Sequence, residues 1–152
     1  MNIEIRRAVP EDAETLTEIA IAAKHHWNYP ERWIQIWIPL LTFKPEDISS
    51  SEIFAELVDG KIAGFYRLIK NHPRAVLDDL WVSPEYMNQK IGRMLFEHAV
   101  ENSRFANLLA MELDADPNAQ GFYEKMGMQK VGEKRTEVGG QPRILPIMEI
   151  SL

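Results

Sequence analysis

The chain has 152 residues, 45% hydrophobic and 26% charged, which suits one packed core and excludes wholesale disorder or a fibrous architecture. Seventeen basic residues against 23 acidic give a net charge of −6, which argues against nonspecific binding to a nucleic-acid backbone or an anionic membrane. Cysteine is absent, so disulfides, thiolate catalysis and cysteine metal sites are excluded.

Ile3 and Ile5 alternate with Glu4 and Arg6, predicting a short half-buried strand, and Pro10-Glu11-Asp12 opens a helical pattern through Leu16, Ile19, Ala20 and Ala23. Nothing in Met1 to Arg7 resembles an apolar signal core, and the most apolar stretch, Trp33 to Phe43, is too short to cross a bilayer. A cytoplasmic protein that neither spans nor binds membranes is expected. Residues 25 to 43 are rich in aromatics and interrupted by Pro30 and Pro39, which predicts a short second helix with flanking loops.

Glu52 to Val58 and Lys61 to Ile69 predict a hairpin around Asp59-Gly60, and Asn71-His72-Pro73 ends that pair. Ala75 to Val82 reads as a strand that feeds a loop and then a helix with Ile91, Met94, Leu95, His98 and Ala99 on one face. Asn107 to Leu113 reads as a strand and Asn118 to Met126 as a short helix stopped by Gly127. Strands over Gln129 to Val138 and Ile144 to Ile150 flank a Gly139-Gly140 turn. The order β, α, α, β, β, β, α, β, α, β, β predicts an α/β (α+β) protein of one domain over residues 1–152, with a mixed sheet and helices on both faces.

The loop Tyr86-Met87-Asn88-Gln89-Lys90-Ile91-Gly92-Arg93 places backbone amides at a helix start, where their partial positive charge suits an anion. Asn88 suits a left-handed backbone, and Lys90 and Arg93 add positive charge. On residues alone, one glycine at a helix start is more often packing or a plain turn than an anion site.

Together with the preceding Leu80-Trp81-Val82-Ser83-Pro84-Glu85 and the following Met94-Leu95, the loop resembles the acetyl-coenzyme A signature of the GNAT superfamily of N-acetyltransferases. Of that family's Gln/Arg-Gly-any-Gly-any-Gly/Ala loop only Gly92 is kept; Met87, Asn88 and Lys90 depart from it. Asp116-Pro117-Asn118-Ala119-Gln120-Gly121-Phe122-Tyr123-Glu124-Lys125-Met126-Gly127-Met128 is similar to a second family segment, and the likeness covers nearly the whole chain.

The resemblance implies a mostly antiparallel central sheet of about seven strands that bind acetyl-CoA where the fourth and fifth splay apart, and direct transfer of acetyl to a primary amine of a small molecule or peptide. Trp81, Val82, Asn88, Gln89, Lys90, Ile91, Gly92, Arg93 and Met94 would hold the cofactor. Asn118 would bond its pantetheine arm, although strict spacing puts Asp116 at the family's asparagine position. Tyr123 corresponds to the tyrosine that protonates the leaving thiolate. Glu112 and Asp79 are the candidates for general base, and adjacent strand residues face opposite sides, so only one of Asp78 and Asp79 should reach the cleft. His25 and His26 are further proton acceptors; no cluster suggests a metal. Trp27, Tyr29 and Trp33 would line the acceptor pocket, while Trp33 and Trp37, four apart, equally suit a core face or a homodimer contact. The alternative from another class is a non-catalytic acetyl-CoA sensor or partner-binding module, motivated by the departures in the loop. A nucleic-acid module would need a basic face with interleaved aromatics, which the aromatic segment lacks.

Overall fold

Strands form where alternation and turn chemistry agree. In the computed structural model, which describes Met1–Leu152, β1 (Ile3–Arg7) pairs antiparallel with β2 (Glu52–Val58), and β2 with β3 (Lys61–Asn71). The turn between β2 and β3 has φ of 50° at Asp59 and 84° at Gly60, the type I′ pattern that follows the right-handed twist of its strands. β3 returns through a cis His72-Pro73 turn into β4 (Arg74–Val82). With β5 (Ala110–Asp114), β6 (Gln129–Val138) and β7 (Gln141–Ser151), the sheet has seven strands in the order β1-β2-β3-β4-β5-β7-β6. Only β4 and β5 are parallel, joined by a helical crossover through α4, whereas β2/β3, β3/β4 and β6/β7 are joined by hairpins.

The helices are α1 (Ala13–His26), α2 (Glu31–Leu41), α3 (Pro45–Ser49), α4 (Ile91–Phe105) and α5 (Gln120–Lys125). Three expectations are corrected. α2 runs through Pro39 instead of breaking there: Pro39 and Gln35 are both exposed, so the Gln35 carbonyl that loses its donor faces water. α3, opened by Pro45 with Asp47 accepting from the Lys44 amide at 2.8 Å, is an additional helix. β5 starts at Ala110, because Asn107 adopts φ of 61° to end the turn after α4.

Adjacent residues of β3 divide the core between the two faces of the sheet. Phe65 packs with Leu16, Ile19 and Ala20 of α1 and Ile48 of α3. Tyr66 belongs to the larger cluster, with Leu95, Phe96 and Ala99 of α4, Met111 of β5 and Met148 of β7. Gly64 lets β3, β4 and α4 meet closely, since a Cβ there would lie 2.7 Å from the Trp81 carbonyl oxygen.

Two irregularities matter. Arg67 pairs with Asp79 but the next residue, Leu68, pairs with Leu77, so Asp78 is an extra residue in β4. Ala75 and Leu77 point toward α4, and strict alternation would send Asp79 and Trp81 after them. The bulge instead turns Trp81 to the α1 side and Leu80 and Val82 to the α4 side. The second is Glu56 of β2, which is fully buried with neither carboxyl oxygen hydrogen-bonded; desolvation lifts its pKa from 4.5 to about 7.

Candidate active site

β4 and β5 run together only over Arg74–Val76 and Ala110–Glu112. Beyond Val76, β4 keeps β3 as its partner and leaves its other edge unpaired to Val82. The gap is a cleft of about 780 Å³, within the usual range for a small-molecule site. Its walls are Leu77–Val82, Leu113–Asp116, the segment from Tyr86 through Arg93 except Gln89, and Phe122 and Tyr123 of α5. From the α1 side Lys24, His26 and Trp27 reach it, as do Arg143 and Leu145 of β7.

At one end lies the start of α4. The first intrahelical bond runs from the Met94 amide to the Lys90 carbonyl at 3.0 Å, so the amides of Ile91, Gly92 and Arg93 lack backbone acceptors. No side chain caps them, and the first turn carries no acidic residue. Asn88 and Lys90 hold φ of 63° and 68°, so the two residues standing where the resembling family has glycines adopt the left-handed backbone that glycine favours. Lys90 in that conformation is a feature sequence reasoning missed. Gly92 sits against Phe122, whose ring atoms would be 3.4 Å from a Cβ at that position. Free amides, two cations and a close glycine are chemically suited to the phosphates of a coenzyme A.

Midway along the cleft, Tyr123 is buried, with its ring 6.2 Å from Phe96 and 5.1 Å from Phe122. Its hydroxyl makes no hydrogen bond inside the protein and opens on the cleft. Burial, with Asp116 and Asp79 adding to it, pushes the phenol pKa above its ordinary value, so the group stays protonated.

Asp78 and Asp79 both line the cleft, and both meet Arg67 Nη2, at 3.0 and 2.8 Å. The expectation that only one would do so fails because the bulge breaks the alternation on which it rested. Trp81 Nε1 donates to Asp79 Oδ1 at 3.0 Å. Burial raises the Asp79 pKa against the opposing pull of Arg67. Glu112 lies outside the cleft lining, 3.4 Å from Arg74 Nε, and Arg74 also bonds Glu149.

At the other end Asp116 gathers a polar network. Lys24 Nζ lies 2.8 Å from Asp116 Oδ2, the Tyr29 hydroxyl donates to Oδ1 at 2.8 Å, and the Asn118 amide donates to Oδ1 at 2.9 Å. Arg143 Nη2 donates to Tyr29 Oη at 2.9 Å and to Asp116 Oδ2 at 3.2 Å. Burial acts to raise the Asp116 pKa, but Lys24, the Asn118 amide and Tyr29 together hold the carboxyl below its ordinary range; burial lowers the Lys24 pKa despite Asp116. Of this cluster, the sequence reading had singled out only Tyr29, Asn118 and the asparagine position at Asp116. Lys24 and Arg143 carried no signal in their neighbourhoods.

The structure thus brings together Asp79, Trp81, Val82, Asn88, Lys90, Ile91, Gly92, Arg93, Asn118, Tyr123 and Trp27 around one cleft. Gln89 lies in the loop, bonded to the Glu85 carbonyl at 3.4 Å; Met94 lies one turn into α4, outside the lining. Tyr29 lies outside the lining, its hydroxyl bonded to Asp116 and its ring 5.0 Å from Trp37 and 5.9 Å from Trp33. Trp33 does not reach the cleft and instead packs near the Gly139 turn. His25 is bonded to Glu31 at 3.1 Å, away from the lining. No group of His, Cys, Asp and Glu is arranged to hold a metal, and no helix is long and apolar enough to cross a membrane.

The model of the acetyltransferase (GNAT) family matches residues 14–128, more than half of the chain. The chain is 28% identical to a peptidyl-lysine N-acetyltransferase of Salmonella typhimurium, over 93% of this chain and 94% of that one. It is 29% identical to a spermidine N(1)-acetyltransferase of Thermoplasma acidophilum, over 85% of this chain and 89% of that one. The crystal structure of the PaiA N-acetyltransferase from Thermoplasma acidophilum in complex with coenzyme A superposes with a TM-score of 0.79 at 27% identity, covering 100% of both chains. A parted strand pair with a bare helix start beside it is therefore set in a GNAT fold, and the chain belongs to the acetyltransferase (GNAT) family as an N-acetyltransferase.

Proposed function

We propose that residues 1–152 act as one domain that binds acetyl-CoA in the β4/β5 gap and transfers its acetyl group directly to a primary amine. The observation that carries this reading is the free, uncapped start of α4 facing the same cleft as the unbonded Tyr123 hydroxyl. When bound, the cofactor supplies a thioester. The Ile91, Gly92 and Arg93 amides, with Asn88 and Gln89 shaping the loop and Lys90 adding charge, would hold its phosphates. The unpaired edge of β4 at Trp81 and Val82 would hold the pantetheine and offer an amide to the thioester oxygen.

Tyr123 supplies the proton that the departing thiolate needs, since burial keeps the phenol protonated. Asp79 removes the proton from the acceptor nitrogen, directly or through water, because it lines the cleft whereas Glu112 is tied to Arg74 outside it. The amine enters from the α1 and β7 side past Trp27, with Tyr29 and Trp33 supporting that wall. The departures at Asn88 and Lys90 keep the backbone conformation that binding requires, and the unbonded Tyr123 hydroxyl in the cleft favours turnover over a sensor that only binds. The absence of cysteine agrees with direct transfer within a ternary complex.

Calorimetric titration with acetyl-CoA tests the site. Micromolar affinity, weakened in an Asn88→Ala, Lys90→Ala double variant, is expected; no binding to the wild type would refute the reading.

A further inference from the structure

The acceptor end of the cleft is more positive than an amine-binding pocket needs to be. Lys24 and Arg143, with side chains 9% and 12% exposed, face a single carboxylate, Asp116. The neighbouring Asp114 is paired with Lys134 at 3.2 Å. Both cations are held rigidly by aromatic rings: Lys24 Nζ lies 4.1 Å from the Trp37 ring centre, and the Arg143 guanidinium carbon lies 4.9 Å from Trp37 and 5.3 Å from Tyr29.

Arg143 enters the network through Nη2 alone. Its Nε and Nη1 make no hydrogen bond within the protein, and neither is a buried orphan. The residue therefore lines the cleft while keeping donors that the protein leaves unused. A guanidinium fixed by stacking, with unused N–H groups and a surplus positive field, is suited to a carboxylate. Across the cleft the surplus is reversed, since Asp78 and Asp79 share one cation, Arg67.

Building on the transferase reading, we propose that the acceptor is a small primary amine that carries a carboxylate, with the amine toward Asp79 and the carboxylate on Arg143 beside Lys24. A polyamine would bring its extra ammonium groups against these two cations and is disfavoured.

The test compares kcat/KM at saturating acetyl-CoA for free amino acids of varied side chain, their C-terminal amides, the corresponding decarboxylated amines, and spermidine. The acids should exceed their amides and amines by at least about 10-fold, about 1.4 kcal/mol of discrimination, with spermidine poorest. Arg143→Gln should bring the acid-to-amide ratio close to one, and Arg143→Lys should retain part of it. Equal use of amide and acid by the wild type, preferential use of spermidine, turnover of no carboxylated member, or an unchanged ratio in a folded Arg143→Gln protein would overturn the proposal. Acetyl-CoA affinity, measured separately by calorimetry, distinguishes the two failures: loss of acceptor preference with cofactor binding intact sinks only this proposal, whereas no cofactor binding sinks the transferase site itself.

Discussion

Replacing Glu56 by Gln should stabilise the protein, and by an amount that depends on pH. The carboxyl, on the β2 strand that β1 and β3 flank, is fully buried with no partner for either oxygen, so ionising it in the folded state means charging a desolvated group. Its folded pKa of about 7 stands against an ordinary 4.5. At ~1.4 kcal/mol per pH unit this displacement corresponds to ~3 kcal/mol. Because the folded pKa is the higher one, the folded protein holds its proton more tightly, and stability falls as pH rises through the window between the two values. Below about pH 4 both states are neutral there, and wild type and Glu56→Gln should have nearly equal unfolding free energies. The variant, isosteric but unable to ionise, should gain steadily above that and lead by ~3 kcal/mol once pH exceeds about 8. Urea unfolding of both proteins in steps from pH 4 to pH 8.5 measures the difference directly. A gap that stays constant with pH, or that favours the wild type at high pH, would refute the account of Glu56 as an unpaired buried acid.

Tyr123→Phe should lower kcat about 100-fold with a good acceptor while leaving acetyl-CoA affinity within about twofold, since the ring still packs on Phe96 and Phe122 and only the proton is lost. Steady-state kinetics beside calorimetry separates the two, and unaltered turnover would move the acid role elsewhere. Lys90→Ala should weaken acetyl-CoA binding by about 1 kcal/mol at low ionic strength and by less in high salt, as expected of an exposed charge near phosphates; a salt-independent loss would point to altered backbone instead. Asp12 accepts from Arg6 Nη1 at 2.8 Å and from the Val9 amide at 2.9 Å. Burial acts to raise its pKa, but these partners hold it below its ordinary 3.8. Asp12→Ala should therefore cost ~1–2 kcal/mol near neutral pH. That cost should shrink as pH falls through the lowered pKa, where the wild-type carboxylate gains a proton and loses the same contacts.

Much of the architecture was legible because local and global signals agree. Asp59-Gly60 forms the turn its residues favour, and the apolar spacing of Ile91, Leu95 and Ala99 becomes the buried stripe of α4. The uncapped start of α4 was legible for the same reason, since a helix start is a local feature. What stayed hidden depends on long-range geometry. Lys24, Asp116 and Arg143 are far apart in sequence and are joined only when α1, the segment after β5 and β7 converge. Alternation misassigned Asp78 and Asp79 because a bulge obeys the partner strand's register, which one strand cannot reveal. Pro39 misled in the opposite direction, because its helix-breaking tendency is overridden where the bereft carbonyl is hydrated.

The surplus residue in β4 also gives this protein an unusual relation between length and tolerance. Asp78 is half exposed, and its carboxylate duplicates the contact that Asp79 makes with Arg67, so many substitutions there should be accepted. Deleting it removes none of the groups assigned to acetyl transfer, yet it would straighten β4 and allow its free edge to continue zipping onto β5, filling the space that the ligands need. In a scan covering both kinds of change, position 78 should show a permissive row of replacements beside an inactive deletion that remains folded. An active deletion would mean that the strands part for some other reason.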